Sequence, residues 1–460
     1  MTLVTYWLHA RHATYAGVDR RDGTLFGERL VSRNPNQERE LKMIVAVTRW
    51  WIARAAIAGL ILMMSHPLFA AQTLGPVTDD LGVVKIPKGA PITIGGYWVI
   101  SGADTAMGLD SKRGAELAFK NIGDKLLGHP IKFTVEDDLC SAEGGQTAAT
   151  KLASNPQMFI VLGGACSSAA TPAAPILWQQ GITNICNACS APSLTAPDRG
   201  PQYNGFGRTI ASDIDQGASD AKYMFTVMKA KTIVAIHDGS PYAQQLAAVG
   251  AKNFTAMGGK VLSTEAVAPS DVDMHPVLTK IAAEKPDVIY MPIFVAAAAQ
   301  LLRQSKEVSG LEHTVILGGG SLAAAEFIEA SGPSVVGFHI AYPDVSIDTM
   351  GKGYPAFVAE YKKVYGEAPI SGYHANAYDA AEMAITAIKE VAKTDKDGNL
   401  YIGKKAFHDA LFKVSFAGLS GPIACDTHGQ CAKFKPAVYE FVSADPKTFS
   451  MGKNPKKVWP

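Results

Sequence analysis

The chain has 460 residues, 43 Lys plus Arg against 42 Asp plus Glu, and 47% hydrophobic residues, which excludes a disordered polyelectrolyte, a collagen-like repeat and a coiled-coil rod. Charged residues make up 18% and the formal net charge is +1, so there is no basic excess to neutralise phosphates and no nucleic-acid partner is expected. At roughly 100–200 residues per domain the length allows two hydrophobic cores.

Arg49 and Arg54 precede an apolar run, Ala55–Met64, that is broken by Ser65–Pro67 and followed by the small residues Ala70 and Ala71. This is the pattern of a secretory signal peptide, placed at residues 43–71 with Met43 as its natural start. Residues 1–42 are polar and irregular and read as an over-extended start. The run is about half the roughly 20 apolar residues a membrane span needs, and no Cys follows Ala70-Ala71-Gln72 to carry a lipid. A soluble, periplasmic protein is expected. Without residues 1–71 the balance becomes 34 Lys/Arg against 37 Asp/Glu, a formal charge of −3.

From Pro91 onward short β-branched runs alternate with helical patterns, the signature of βαβ units and parallel sheets. Strands are predicted at Ile92–Tyr97, Ile131–Val135, Met158–Leu162, Ile182–Ile185, Thr232–Ile236, Val261–Ala266, Val288–Met291 and Val315–Leu317. Helices are predicted with Ala115, Phe119 and Ile122 on one face, around Gln146–Leu152, ending at Trp178, and at Tyr354–Tyr365 and Asn376–Val391. The alternation relaxes at Asn204–Asp215, Tyr342–Asp344 and Gly421-Pro422, which suggests three crossings between two lobes. The expected division is 88–209 plus 343–421 for lobe 1 and 210–342 plus 422–460 for lobe 2. Lys393–Asp397 reads as a solvated loop with a turn at Asp397-Gly398.

An enzyme needs a nucleophile, a metal or a cofactor cradle, and little supports one. No phosphate loop or G-x-S-x-G occurs, and Gly318-Gly319-Gly320 lacks dinucleotide spacing. Ser219-Asp220-Ala221-Lys222 matches S-x-x-K without its companion motifs and reads as a solvated helix face. The histidines lack metal-site spacing. No cofactor or metal is called for. Six cysteines in an oxidising compartment allow 15 pairings. Proximity suggests Cys425 with Cys431 and Cys186 with Cys189, leaving Cys140 with Cys166. Cys186-x-x-Cys189 reads as a local disulfide or two buried thiols rather than a redox centre, because no helix begins there. What remains is a strand ending in Gly163-Gly164-Ala165-Cys166-Ser167-Ser168 before a helix that starts between Ser167 and Pro175. Unpaired helix N–H groups and two hydroxyls suit a carboxylate, although either serine can simply cap the helix.

The segments Asp137-Asp138-Leu139-Cys140, Cys166-Ser167-Ser168, Ala191-Pro192-Ser193-Leu194-Thr195, Asp215-Gln216-Gly217, His237-Asp238, Tyr242, Leu302-Arg303-Gln304 and Gly421-Pro422, in this order behind a signal peptide, resemble the periplasmic leucine/isoleucine/valine-binding proteins of ABC importers. The resemblance covers nearly everything from Pro91 to about Val442. It implies a two-lobed α/β type I periplasmic binding fold, with parallel-sheet lobes joined by three crossover strands. It also implies a Cys140–Cys166 disulfide, carboxylate binding at Ser167 and its neighbour Ser168, further ligand contacts at Ala188 and Ser190, and a cleft-closing tyrosine at Tyr242. The second-lobe aromatic falls on Phe294, and the acid that pairs with an amino-acid ammonium falls on Gly320, with no other charge at Gly318 or Gly319. Asp238 is a conceivable substitute. A buried ammonium without a counter-charge is costly, so the expected ligand is a carboxylate that needs no α-ammonium, with Phe294 and Met107 as walls for a ring or branched body. The expected protein is a monomeric receptor that docks on an inner-membrane ABC permease. A ligand-sensing module feeding a signalling receptor is the alternative.

Overall fold

The computed structural model describes residues 71–346 and 349–460; the expected extension 1–42 and all but the last residue of the expected signal peptide lie outside the described residues. A hairpin of β1 (Gln72–Leu74) and β2 (Val77–Asp79) leads through β3 (Val83–Ile86) into the first lobe. There β4 (Ile92–Trp98), α1 (Thr105–Asn121), β5 (Lys125–Leu126), β6 (His129–Asp137), α2 (Ala142–Ala153), β7 (Ile160–Gly163), α3 (Ser167–Gln179), β8 (Thr183–Cys186) and β9 (Phe206–Arg208) follow in order. The sheet runs β5-β6-β4-β7-β8-β9, parallel except for the β5–β6 edge. Every residue of β4, β7, β8 and β9 is buried, as expected for strands covered on both faces by crossover helices.

The chain then enters a second lobe through α4 (Asp213–Lys222), followed by β10 (Thr232–His237), α5 (Pro241–Ala256), β11 (Lys260–Ala266), α6 (His275–Glu284), β12 (Val288–Met291), α7 (Val295–Gln304), β13 (Val315–Gly318), α8 (Ala325–Ser331) and β14 (His339–Pro343). It returns to the first lobe as α9 (Tyr354–Tyr365) and α10 (His374–Val391), the latter packed along α1. Next come β15 (Lys393–Thr394), β16 (Leu400–Gly403), α11 (Lys404–Leu411) and the ribbon of β17 (Ser415–Ala417) with β18 (Pro422–Ala424). Finally β19 (Pro436–Glu440) and β20 (Lys456–Trp459) complete the second sheet, ordered β11-β10-β12-β13-β14-β19-β20, with the last two pairings antiparallel. The chain therefore passes between the sheets three times, after Arg208, after Pro343 and between Ala424 and Pro436.

Pairing of β3 with β16 brings chain upstream of residue 88 into the first lobe, and the β17–β18 ribbon carries the third passage past residue 421. Lys393 and Thr394, read as loop, pair with β16 around a turn in which Gly398 takes φ +83°. The returning helices are tied down at one buried carboxylate. Asp110 on α1 is paired with His374 Nδ1 at 2.7 Å and accepts from the Ser371 hydroxyl at 2.8 Å and the Tyr361 hydroxyl at 2.9 Å, which is how a fully buried charge is made tolerable. Helix α3 begins at Ser167, ahead of both Pro172 and Pro175. Pro175 has no N–H for the carbonyl of Thr171, and the Tyr203 hydroxyl donates to that carbonyl instead at 2.9 Å.

Candidate functional site

The carboxyl ends of both parallel sheets face one cleft, where ligands of open α/β sheets bind. A small cavity of about 30 Å³ lies there. The first lobe and the first passage contribute Ala188, Ser190, Ile210 and Ala211, and the returning chain contributes Tyr373. Asp213, Gln216, Tyr242, Leu246, Gly320, Tyr342 and Pro343 form the other side.

The loop carrying Ala188 and Ser190 is fixed from several directions. Cys186 and Cys189 are disulfide-bonded across it. The fully buried guanidinium of Arg208 donates to the carbonyls of Cys189 at 3.0 Å and Ala191 at 2.9 Å, on either side of Ser190. Burial lowers the Arg208 pKa to about 10. The Ser167 hydroxyl accepts from Ala191 N–H at 3.1 Å, and Asp213 N–H donates to the Ser190 carbonyl at 3.0 Å. Cys140 and Cys166 are likewise bonded, joining the loop after β6 to the N-cap of α3, and Cys425 pairs with Cys431 in the third passage.

Tyr242 enters from the first turn of α5, which Ser240 caps with Pro241 at the first helical position. Its ring packs on Phe294 with centroids 5.4 Å apart, and burial raises the pKa of its hydroxyl far above the ordinary value, so it stays a neutral hydrogen-bonding group. The two glycines that follow β13 have a packing explanation. A Cβ on Gly319 would come 2.3 Å from the Tyr242 hydroxyl, and one on Gly320 would come 2.3 Å from the ring of Tyr342.

Of the expected ligand residues, Ala188, Ser190, Tyr242 and Gly320 are brought together at the cavity. Ser167 stands behind the Ser190 loop, and the Ser168 hydroxyl donates to the Cys140 carbonyl at 2.6 Å, bracing the disulfide-linked junction. Phe294 supports Tyr242, and Met107 is buried in the core. Asp238 is not free to substitute for an acid at Gly320, because its oxygens accept from Ser240 N–H at 3.0 Å and Phe294 N–H at 3.0 Å.

Asp238 was the one acid the sequence offered for this cavity, and the structure brings a different acid there. Asp213 at the start of α4 lines it, and its Oδ2 is buried with no hydrogen-bond partner among the described residues. Burial pushes the Asp213 carboxyl up to about 7, against the lowering influence of Arg208 and the Ser190 hydroxyl. Gln216, Tyr342 and Tyr373 were also unforeseen. A cue for Asp213 existed, since Ser212 followed three residues later by Asp215 is the start signal of a helix, and the Ser212 hydroxyl does cap α4 through Ile214 N–H. Among the described residues no cluster of His, Cys, Asp or Glu is placed to hold a metal ion.

Two α/β lobes closing on a small cavity with hydroxyl, carboxyl and aromatic walls define a solute-binding protein. The chain belongs to the periplasmic binding protein family, whose profile matches residues 91–441. An amino acid binding protein of Pseudomonas aeruginosa is 28% identical over 275 residues, covering 59% of this chain and 72% of that relative. The Leu/Ile/Val/Thr-binding protein of Salmonella typhimurium is 29% identical over 293 residues, covering 63% and 73%. Among solved structures, a leucine binding protein of Thermotoga maritima matches with a TM-score of 0.68 at 22% identity, covering 77% of this chain and 96% of its own. A solute binding protein of an R. palustris ABC transporter, in complex with benzoate, matches at 0.65 and 21%, covering 80% and 98%. These likenesses establish the type I periplasmic binding fold. Members of the family are binding proteins rather than enzymes, and no helix among the described residues is long and apolar enough to cross a membrane.

Proposed function

We propose that this chain is the extracytoplasmic receptor of an ABC importer, taking a small carboxylate with a branched aliphatic or aromatic body into its interlobe cleft. The observation that carries this reading is the small interlobe cavity at which the Ala188–Ser190 loop of one lobe faces Tyr242 of the other. Names and complexes of the relatives support it, since leucine and benzoate both join a carboxylate to an apolar body. Ligand that bridges the two walls favours the closed arrangement, and the closed form is what an inner-membrane permease would receive.

A thermal-shift screen of amino acids, hydroxy acids and aromatic carboxylates tests the reading. A true ligand at 100 times its dissociation constant stabilises the folded protein by about 2.7 kcal/mol. Absence of any shift across the three classes would count against a carboxylate receptor.

A further inference from the structure

We propose that the ring of Tyr342 is a partition that limits ligand length, closing the ligand cavity off from a second cavity that lies among the three interlobe passages. The inference rests on the receptor reading above and deepens it by naming a residue that sets specificity.

Three observations converge. First, a cavity of about 80 Å³ lies directly behind the ligand cavity, and the two share Ile210, Ala211, Tyr342 and Pro343 as walls. All three passages meet around it, the first through Ile210 and Ala211, the second through Tyr342 and Pro343, and the third through Lys433 and Lys435. Tyr342, on β14, is the largest of the shared residues and is 2% exposed.

Second, the ring is clamped. Its hydroxyl donates to the Gly372 carbonyl at 3.0 Å, and Tyr373 stands edge-on to it with centroids 5.4 Å apart. It is wedged between glycines from the two sides of the cleft: a Cβ on Gly320 would come 2.3 Å from the ring and one on Gly372 would come 2.9 Å from it. Backbone on both flanks has no side chain to turn aside, so the ring cannot swing without breaking close packing. With its hydroxyl committed to Gly372, Tyr342 meets the ligand as bulk.

Third, the space behind the ring differs in character. Its walls carry Lys433, Lys435 and Asp344, the last paired with Lys457 at 2.8 Å. Charged walls around a volume with room for water do not suit an apolar body, and the ring keeps that body apart from them. A longer apolar tail buries more surface and, given room, binds tighter. Against a clamped ring the extra carbons overpack the site instead, so affinity must turn over with chain length.

The experiment is calorimetric titration with butanoate, hexanoate and octanoate, and with the L-2-amino acids of the same chain lengths. In whichever series binds, octanoate or its amino counterpart should bind the wild-type protein tenfold or more weaker than the best shorter member. Tyr342→Ala should shift the ratio of long-chain to short-chain affinity tenfold or more toward the long chain. General loosening of the cleft would weaken both lengths together and leave that ratio in place. Tyr342→Phe keeps the ring and should keep the wild-type ratio. Where Tyr342→Ala does not fold or binds neither length, Tyr342→Leu reads the same ratio and should move it the same way. A wild-type affinity that does not fall with length would overturn the partition and leave the receptor reading intact. So would a ratio unaltered in the Ala or Leu variant, or one relieved as fully by Tyr342→Phe. Binding of no member of either series would overturn both.

Discussion

The two walls of the cleft are held by different means. On the first-lobe side the Ala188–Ser190 loop is pinned by the Cys186–Cys189 disulfide, by Arg208 on two carbonyls and by Ser167, while Cys140–Cys166 ties the neighbouring strand end to α3. On the second-lobe side no disulfide occurs among the described residues; the wall is built of rings pressed onto glycines, Tyr242 over Gly319 and Tyr342 over Gly320. A wall fixed by disulfides and by a guanidinium on its carbonyls can present backbone and hydroxyl groups in one geometry, as carboxylate recognition requires. A wall of packed rings can shift with the ligand body. Family-wide chemistry is expected on the first wall and ligand identity on the second.

The largest effect should come from breaking the covalent side. Replacing both Cys140 and Cys166 by Ser removes a cross-link between residues 26 apart, which in the chain-entropy account costs roughly 3 kcal/mol of stability. Denaturant unfolding of the ligand-free protein reads this directly. An unchanged midpoint would show that Arg208 and the Ser168 hydroxyl suffice to hold the first wall.

Truncating the packed side should leave stability closer to normal and strike binding. Tyr242→Ala removes a neutral buried hydroxyl and the ring resting on Phe294, and ligand affinity should weaken by about 1–3 kcal/mol. Calorimetry of whichever ligand the thermal screen finds provides the measurement. If affinity stays the same, the second wall does not touch the ligand through Tyr242 and the comparison between walls loses its functional half.

The same contrast explains what could be read before the structure. Strongly periodic or apolar segments were legible to the residue, as with Val288–Met291 and Tyr354–Tyr365, because burial pattern alone decides them. Although the Cys186–Cys189 pairing stayed open against two buried thiols, and Ser167 and Ser168 brace the loop instead of lining the cavity, the cysteines and the Ser-rich strand end of the first wall were visible in sequence. Asp213 was not, because Asn204–Asp215 is polar and lacks periodicity, and its meaning depends on a cavity closed by residues more than 100 positions away, Gly320 and Tyr342. Edge strands were missed for a similar reason: β20, with Lys456 and Lys457, carries charges of the kind that protect a sheet edge and mask its pattern.

The smallest and most discriminating prediction concerns the bonds that join the walls. Ser193 and Gln245 exchange two neutral hydrogen bonds across the cleft, at 2.9 and 3.0 Å. Elsewhere two carboxylates each cap a helix of the opposite lobe: Asp104 accepts from Val295 N–H at the start of α7 at 3.3 Å, and Glu326 accepts from Ala106 N–H at the start of α1 at 2.9 Å. Burial in the closed form pushes Asp104 up to about 6 and Glu326 up to about 7, with Asp238 beside the first and Asp104 and Glu329 beside the second adding like charge. On opening, both carboxyls meet water and return toward ordinary values near 4. The closed form therefore holds more protons than the open one, so closure gains as pH falls from about 7 toward 4 and that gain is lost as pH rises through 7. Small-angle scattering of the ligand-free protein should show a more compact average at pH 5 than at pH 8. Glu326→Gln, which keeps an acceptor for Ala106 but cannot titrate, should flatten that dependence, whereas Gln245→Ala should loosen closure by a similar amount at both pH values. A Gln245→Ala protein whose compaction lost its pH dependence, or an Asp104→Asn/Glu326→Gln protein that kept it in full, would assign the pH response to groups other than these two helix caps.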